Sequence, residues 1–259
     1  MHIIDVKMQN KNESSFPKKY SSLINCLKFF ALNKEGTVEE VAEFINKDYT
    51  TAMRTIKKLG KRGLIRLERL ERTNTKGREK KIYRITLRGL FLWMIIERRD
   101  AEENFEKIVS AHKDKLLTFK KWQYFKEKGL AEYIKAKFFE SLSHYEFIEA
   151  SFPLLMKLTY GDISPTGSSF TFLQVDEEAL AKPADFDILQ LNLMTYPPEH
   201  VKRNFKNEWE NLVSLYKAIE EDYELKRFKD MIIFEREREY DQKLKAINAW
   251  KQFLRVSGN

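Results

Sequence analysis

Cysteine is almost absent. The single Cys26 among 259 residues excludes a disulfide scaffold and a cysteine-based zinc site. Glycine and proline are scarce, 9 and 6, which argues against a turn-rich all-β architecture and for a mainly helical one. The longest purely apolar run, Leu90–Ile96, is seven residues and cannot build a membrane-spanning helix. The opening MHIIDVKMQNKNESS has no basic stretch leading into a long apolar one and no small-residue cleavage site, so an intracellular, cytoplasmic destination is expected. No Walker loop, GxGxxG, HExxH, CxxC or GxSxG occurs, and the four histidines are scattered. Neither catalysis nor a cofactor is therefore expected. Asp176, Glu177 and Glu178, with Asp185 and Asp187 nearby, could hold a divalent metal only weakly, because acidic triplets often simply start helices.

The chain has apolar and aromatic residues in plenty, 42% and 13%, enough for a folded core. It also carries a net charge of +8, unevenly spread. Residues 51–90 contain 14 Lys/Arg against 3 Glu, a local +11, so the rest of the chain sums to −3. Such density on one module is the footprint of a polyanion partner.

Residues 1–19 read as a polar arm ending at Pro17. Leu23, Leu27 and Phe30 give a helix over Ser21–Leu32, with Gly36 expected as its left-handed stop. Thr37-Val-Glu-Glu40 fits a capping box for a short helix with Val38, Val41, Ala42 and Ile45 on its apolar stripe. Asn46-Lys47 breaks that helix, and Asp48 can cap the next one. There Ala52, Ile56 and Leu59 share one side, while Thr50, Thr51, Arg54, Lys57, Lys58 and Lys61 fall mostly on the other. Gly60 and Gly63 end it. Ile65 and Leu67, two apart, signal a strand, and Lys80–Thr86 a return strand with Ile82, Tyr83 and Ile85. The intervening turn at Lys76-Gly77 makes a hairpin with a basic tip. Thr86 can cap a further helix through Leu90–Ile96.

Over Thr37–Thr86 this order resembles a winged helix-turn-helix domain of the MarR-type and related archaeal and bacterial transcriptional regulators. Three pieces carry the resemblance: TVEEVAEFINKDYTTAMRTIKKL, the KLGKRGLIRL exit from the second helix into a strand, and KKIYRITLRG leading from the wing into a helix. The resemblance covers about residues 20–98, with a recognition helix at about 48–60 and a wing at about 65–86. It implies a protein that binds double-stranded DNA, reads an operator and regulates transcription, with a homodimer expected. Tyr49, Thr50, Thr51 and Arg54 are then the candidates for base edges, Arg54 foremost for a guanine. Lys57, Lys58 and Lys61 are candidates for phosphates, and Arg72, Asn74, Lys76 and Arg78 for the backbone or minor groove. Thr50 and Thr51 could equally serve the helix start, and Arg78 could pair with Glu79 or Glu71.

Residues 99–259 match no family pattern and read as a helical domain for dimerisation, for sensing a small-molecule or protein effector, or for both. Helices are expected over Ala101–Leu117, Phe119–Lys126 and Leu130–Leu158 with interruptions. Dense aromatics there, from Phe105 through Trp122 and Phe138 to Phe152, suit a helical core better than an effector pocket. Tyr160–Ser169 reads as a loop, Phe170–Val175 as a short strand or an ordered loop, and Asp176–Ala181 as a helical turn ended by Pro183. Glu199–Val256 lacks Gly and Pro, which suggests one long helix or two with a tight join. The fold class is thus mainly α: three helices and a β-hairpin wing, followed by a helical C-terminal domain. Other functional readings stay open: a plasmid or viral replication or partition factor, a winged-helix scaffold for a protein partner, or an enzyme acting on nucleic acid with a metal at 176–187.

Overall fold

The computed structural model describes residues 21–72, 79–142 and 177–256. The expected arm at 1–19, the wing tip at 73–78 and the loop and strand expected over 160–175 lie outside these residues. The chain is mainly helical, with one small antiparallel sheet after three helices. It divides into two compact units, one running to Ala111 and the other built from His112–Ser143 and Glu178–Asn259. No helix among the described residues is long and apolar enough to cross a membrane.

In the first unit, α1 (Ser21–Leu32) buries Leu23, Ile24, Leu27, Phe30 and their neighbours. Cys26 lies wholly inside this face, and burial pushes its thiol far up, so it packs as a small hydrophobe. Helix α2 (Val38–Phe44) starts with the full capping box. The Glu40 backbone N–H donates to Thr37 Oγ1, and the Thr37 N–H donates back to Glu40 Oε2 at 2.7 Å. Asn46, at φ 50°, turns the chain out of α2. Helix α3 (Tyr49–Lys61) is capped by Asp48, which accepts from the Thr51 N–H at 2.9 Å. It ends in a left-handed Gly63 at φ +67°, with Gly63 N–H on the Gly60 carbonyl and Leu64 N–H on the Leu59 carbonyl.

Strands β1 (Ile65–Glu71) and β2 (Lys80–Ile85) pair antiparallel, with Ile65 opposite Ile85 and Leu67 opposite Tyr83. Gly36 corrects the expectation of a left-handed stop. It lies extended beside β2 and exchanges both backbone hydrogen bonds with Tyr83, at 3.0 and 2.8 Å. A side chain there would meet the Phe29 ring at 2.4 Å, so close approach is what requires glycine. The apolar alternation of β1 also fails. Ile65 is buried but Leu67 is 48% exposed, and the register shifts between Leu67 and Arg69.

Helix α4 (Leu87–Ile96) is apolar almost all round, and Leu90, Leu92, Trp93 and Met94 are fully buried. Such a helix belongs at the centre of a unit, which leaves the two-faced α3 at its surface. The expected single helix over Ala101–Leu117 is instead α5 (Arg98–Glu103) and α6 (Phe105–Ala111), followed by non-helical residues. Asn104 makes the break: its side-chain amide donates to both the backbone carbonyl and the carboxylate of Asp100, at 2.9 Å each.

The second unit contains α7 (Leu117–Lys120), α8 (Trp122–Glu127), α9 (Ala131–Leu142), α10 (Glu177–Ile188), a 3₁₀ turn (Leu191–Thr195), α11 (Pro198–Asn204), α12 (Trp209–Glu221) and α13 (Tyr223–Val256). Pro183 does not end α10; it lies inside it. Ala184, Phe186, Ile188 and Leu189 just beyond it are buried, and that burial outweighs the lost helix hydrogen bond. Asp185, also buried, accepts from Leu117 N–H, Thr118 N–H and Thr118 Oγ1. It thereby caps α7 from a distant helix. The Glu199–Val256 stretch forms three helices rather than one or two. The extra break follows α11, where the Asn204 side chain donates to the His200 carbonyl and Glu208 N–H turns back to Phe205. The tight join is at Asp222, which accepts from Glu224 and Leu225 N–H groups at 3.0 Å each. The aromatics of this unit pack as core: Phe119, Phe125, Phe138 and Phe139 are buried, with Phe119 and Phe138 ring centroids 5.3 Å apart.

Candidate nucleic-acid interface

Helix α3 is held by one face. Ala52, Thr55, Ile56 and Leu59 are buried against the unit's interior. Thr55 hides its hydroxyl by donating to the Thr51 carbonyl at 2.9 Å. The opposite face carries Thr50, Arg54, Lys57, Lys58 and Lys61, all exposed. Their spacing places them on one stripe about 16 Å long, from a 1.5 Å rise per residue.

Arg54, Lys57, Lys58 and Lys61 have no carboxylate within ion-pair distance among the described residues. The arginines of β1 are placed differently. Arg69 grips Glu35 with both Nη atoms, at 2.5 and 2.6 Å, and also holds Glu71. This contact lowers the Glu35 pKa below the ordinary glutamate range and raises that of the guanidinium further. Arg66 donates to Glu68 at 3.0 Å, and the buried Arg84 lies 3.8 Å from the same carboxylate. The strand's positive charge is thus largely balanced within the unit, while that of α3 faces solvent unbalanced. Lys80 and Lys81 on β2, which sequence reasoning passed over, are also exposed without a carboxylate partner among the described residues.

The remaining candidates fall into three groups. Tyr49, 48% exposed, stands at the start of α3 beside the stripe. Thr51 is drawn into the cap, its hydroxyl donating to Asp48 Oδ2 at 2.7 Å. Arg72 is exposed and 3.5 Å from Glu79 across the hairpin. Asn74, Lys76 and Arg78 lie outside the described residues, as does any pairing of Arg78.

The hairpin is fixed to the end of α3 by a compact joint. Thr86 N–H donates to the Leu64 carbonyl at 2.9 Å, and Thr86 Oγ1 donates to the Gly63 carbonyl at 2.7 Å. The same oxygen accepts from Gly89 N–H at 3.0 Å, capping α4. A Cβ on Gly89 would lie 2.2 Å from the Leu64 oxygen. One threonine and one glycine therefore set the positions of α3, the sheet and α4 relative to one another. Comparison of the chain with protein-family models, curated proteins and solved structures returned no match.

Proposed function

We propose that the first unit is a winged helix-turn-helix that binds double-stranded DNA, and that the chain is a sequence-specific transcriptional regulator. The observation that carries this reading is the stripe of uncompensated cations on an α3 anchored only by its other face. A major groove about 12 Å wide accepts a helix presented in this way. Arg54, near the helix start, is the residue to make a two-point contact with guanine. Lys57, Lys58 and Lys61 neutralise phosphates, which position the protein without reading sequence. The hairpin, with Arg72 at the end of its described part, follows the backbone as the wing. The second unit supplies dimerisation or effector sensing.

Three α3 lysines on phosphates give a log–log salt slope of about −2.7, or roughly a fortyfold loss of affinity between 50 and 200 mM salt. The test is binding of the full chain to random-sequence duplex across that series, with sequencing of the retained fraction. Steep salt dependence and an enriched inverted repeat support a dimeric regulator. Salt dependence with no enriched motif favours a replication or partition role. A second reading, a protein partner for this module, rests on the exposed Leu67 and Leu70 of β1. It gains if duplex binding is weak even at low salt and a partner survives Arg54→Ala.

A further inference from the structure

Seven described lysines of the second unit lie within ion-pair distance of a carboxylate. Lys120 and Lys121 hold Glu224, with Lys121 also 2.7 Å from Asp222. Lys128 holds Glu221, Lys137 lies 2.6 Å from Glu208, and Lys229 holds Glu220. Lys202, Arg203 and Lys206, on and just after α11, form a cluster of three cations without such a partner, where Lys113 and Lys217 stand singly. All three are exposed and none has a carboxylate within ion-pair distance among the described residues. Together with Glu199 and Trp209 they line a cavity of about 430 Å³.

The aromatic residues here are as distinctive as the charge. Trp209 packs against the buried Leu193, Val201 and Leu212, yet it also lines the cavity. Tyr196 and His200, just before and on α11 but not among the lining residues, are exposed and stacked, ring centroids 5.4 Å apart at 21°. Three cations against one carboxylate favour an anion. A bare phosphate has no use for an indole, whereas a nucleobase stacks on such a surface. Glu199, the one carboxylate of this lining, repels an acidic peptide.

We infer that this surface is a second anion site that takes a nucleoside phosphate, as a free nucleotide or as a unit of single-stranded nucleic acid. It is distinct from the α3 stripe and does not depend on the duplex-binding reading. Lys202, Arg203 and Lys206 hold the phosphates, and Trp209 stacks with the base.

The test titrates the full chain with fluorescein-labelled dT12 by anisotropy, and separately with ATP by calorimetry. Three phosphate contacts to a single strand predict about a twentyfold loss of dT12 affinity between 50 and 200 mM salt. Lys202→Ala/Lys206→Ala leaves one contact, so that salt ratio falls to roughly threefold, with affinity at 50 mM reduced at least about tenfold. Trp209→Phe keeps a stacking ring and stays near wild type, while Trp209→Leu loses about fivefold or more. A melting curve for each variant confirms that it is folded. Arg54→Ala/Lys57→Ala, directed at α3, leaves dT12 and ATP binding unchanged and reduces duplex binding, so the two sites fail separately. Binding of ATP alone assigns the site to free nucleotides, and binding of dT12 alone to strands. The inference is overturned if neither ligand binds at 50 mM salt, if Lys202→Ala/Lys206→Ala binds as tightly as wild type, or if the α3 variant abolishes both.

Discussion

Gly89→Ala tests whether the joint at Thr86 sets the geometry of the first unit. The new Cβ would stand 2.2 Å from the Leu64 oxygen and 3.0 Å from both the Leu64 carbonyl carbon and Ile85 Cγ1. Van der Waals contact needs more than 3 Å, so backbone has to move by about 1 Å. The atom that must move is the acceptor of the Thr86 N–H bond. Overpacking of this kind costs about 1–3 kcal/mol, and a weakened buried hydrogen bond adds about 1 kcal/mol. Replacing glycine by alanine in a helix returns up to about 1 kcal/mol. The net expectation is a loss of about 2–3 kcal/mol. Gly60→Ala is the internal control. Gly60 is exposed inside α3, and its nearest neighbour would be the Ile65 oxygen at an ordinary 3.5 Å. It should gain up to about 1 kcal/mol. Because the chain has two units, the readout must be local. Hydrogen-exchange mass spectrometry of peptides covering Leu87–Ile96 follows α4 directly. Faster exchange in Gly89→Ala by one to two orders of magnitude, with Gly60→Ala equal to or slower than wild type, is the expected result. Equal protection in Gly89→Ala and wild type would refute the idea that close approach fixes this position.

Three further outcomes are expected. Arg54→Ala/Lys57→Ala/Lys58→Ala should leave the first unit's stability within about 0.5 kcal/mol of wild type, because these side chains touch nothing that holds the fold, while lowering the duplex salt slope by about two; a melting shift of several degrees would contradict this. Thr37→Val removes the side-chain half of the capping box and should cost about 1–2 kcal/mol, read as a lower urea midpoint for the first unit. Asp185, in the second unit, is pushed up to about 6 because burial outweighs its three hydrogen-bond donors. Its folded-state pKa lies above the unfolded value, so its contribution is present at low pH and is lost as pH rises through about 6. The second unit should therefore gain about 1 kcal/mol between pH 7 and pH 5 relative to Asp185→Asn, measured from urea midpoints at pH 5, 6 and 7. Parallel pH profiles for the two proteins would remove Asp185 as the cause.

Elements whose signals are local could be read from the chain. Thr37 and Glu40, Asp48, and Thr86 each act within three residues, and each cap forms where the spacing places it. The stripe of α3 was legible because helical periodicity sorts its residues onto two faces. Features set by distant partners were not. Gly36 answers to Phe29 and Tyr83, which only the folded chain brings beside it. Pro183 sits in a helix because the residues beyond it are buried, and burial has no signature in a six-residue window. Charge balance was hidden for the same reason: Arg69 and Arg54 look alike in sequence, but Glu35, 34 residues away, occupies only the first. The cluster at Lys202, Arg203 and Lys206 was overlooked because its region is not basic overall. Its one available signal was the aromatic spacing of Tyr196, His200, Phe205 and Trp209 around it.

The Thr86–Gly89 joint also bears on how a genetic map of this protein will look. On the proposed role of the α3 stripe, a screen for loss of function returns Gly36 and Gly89 beside Arg54 and Lys57, with nothing in the phenotype to part them. The joint supplies the division. Alleles at the glycines act through abundance, so they are temperature-sensitive and are rescued by second-site changes elsewhere in the unit that add stability. Alleles on the α3 stripe accumulate to normal levels, and in a protein that works as a dimer they poison the wild-type copy. Dominance, scored in a strain carrying both alleles, thus sorts the map into scaffold and surface without a purified protein.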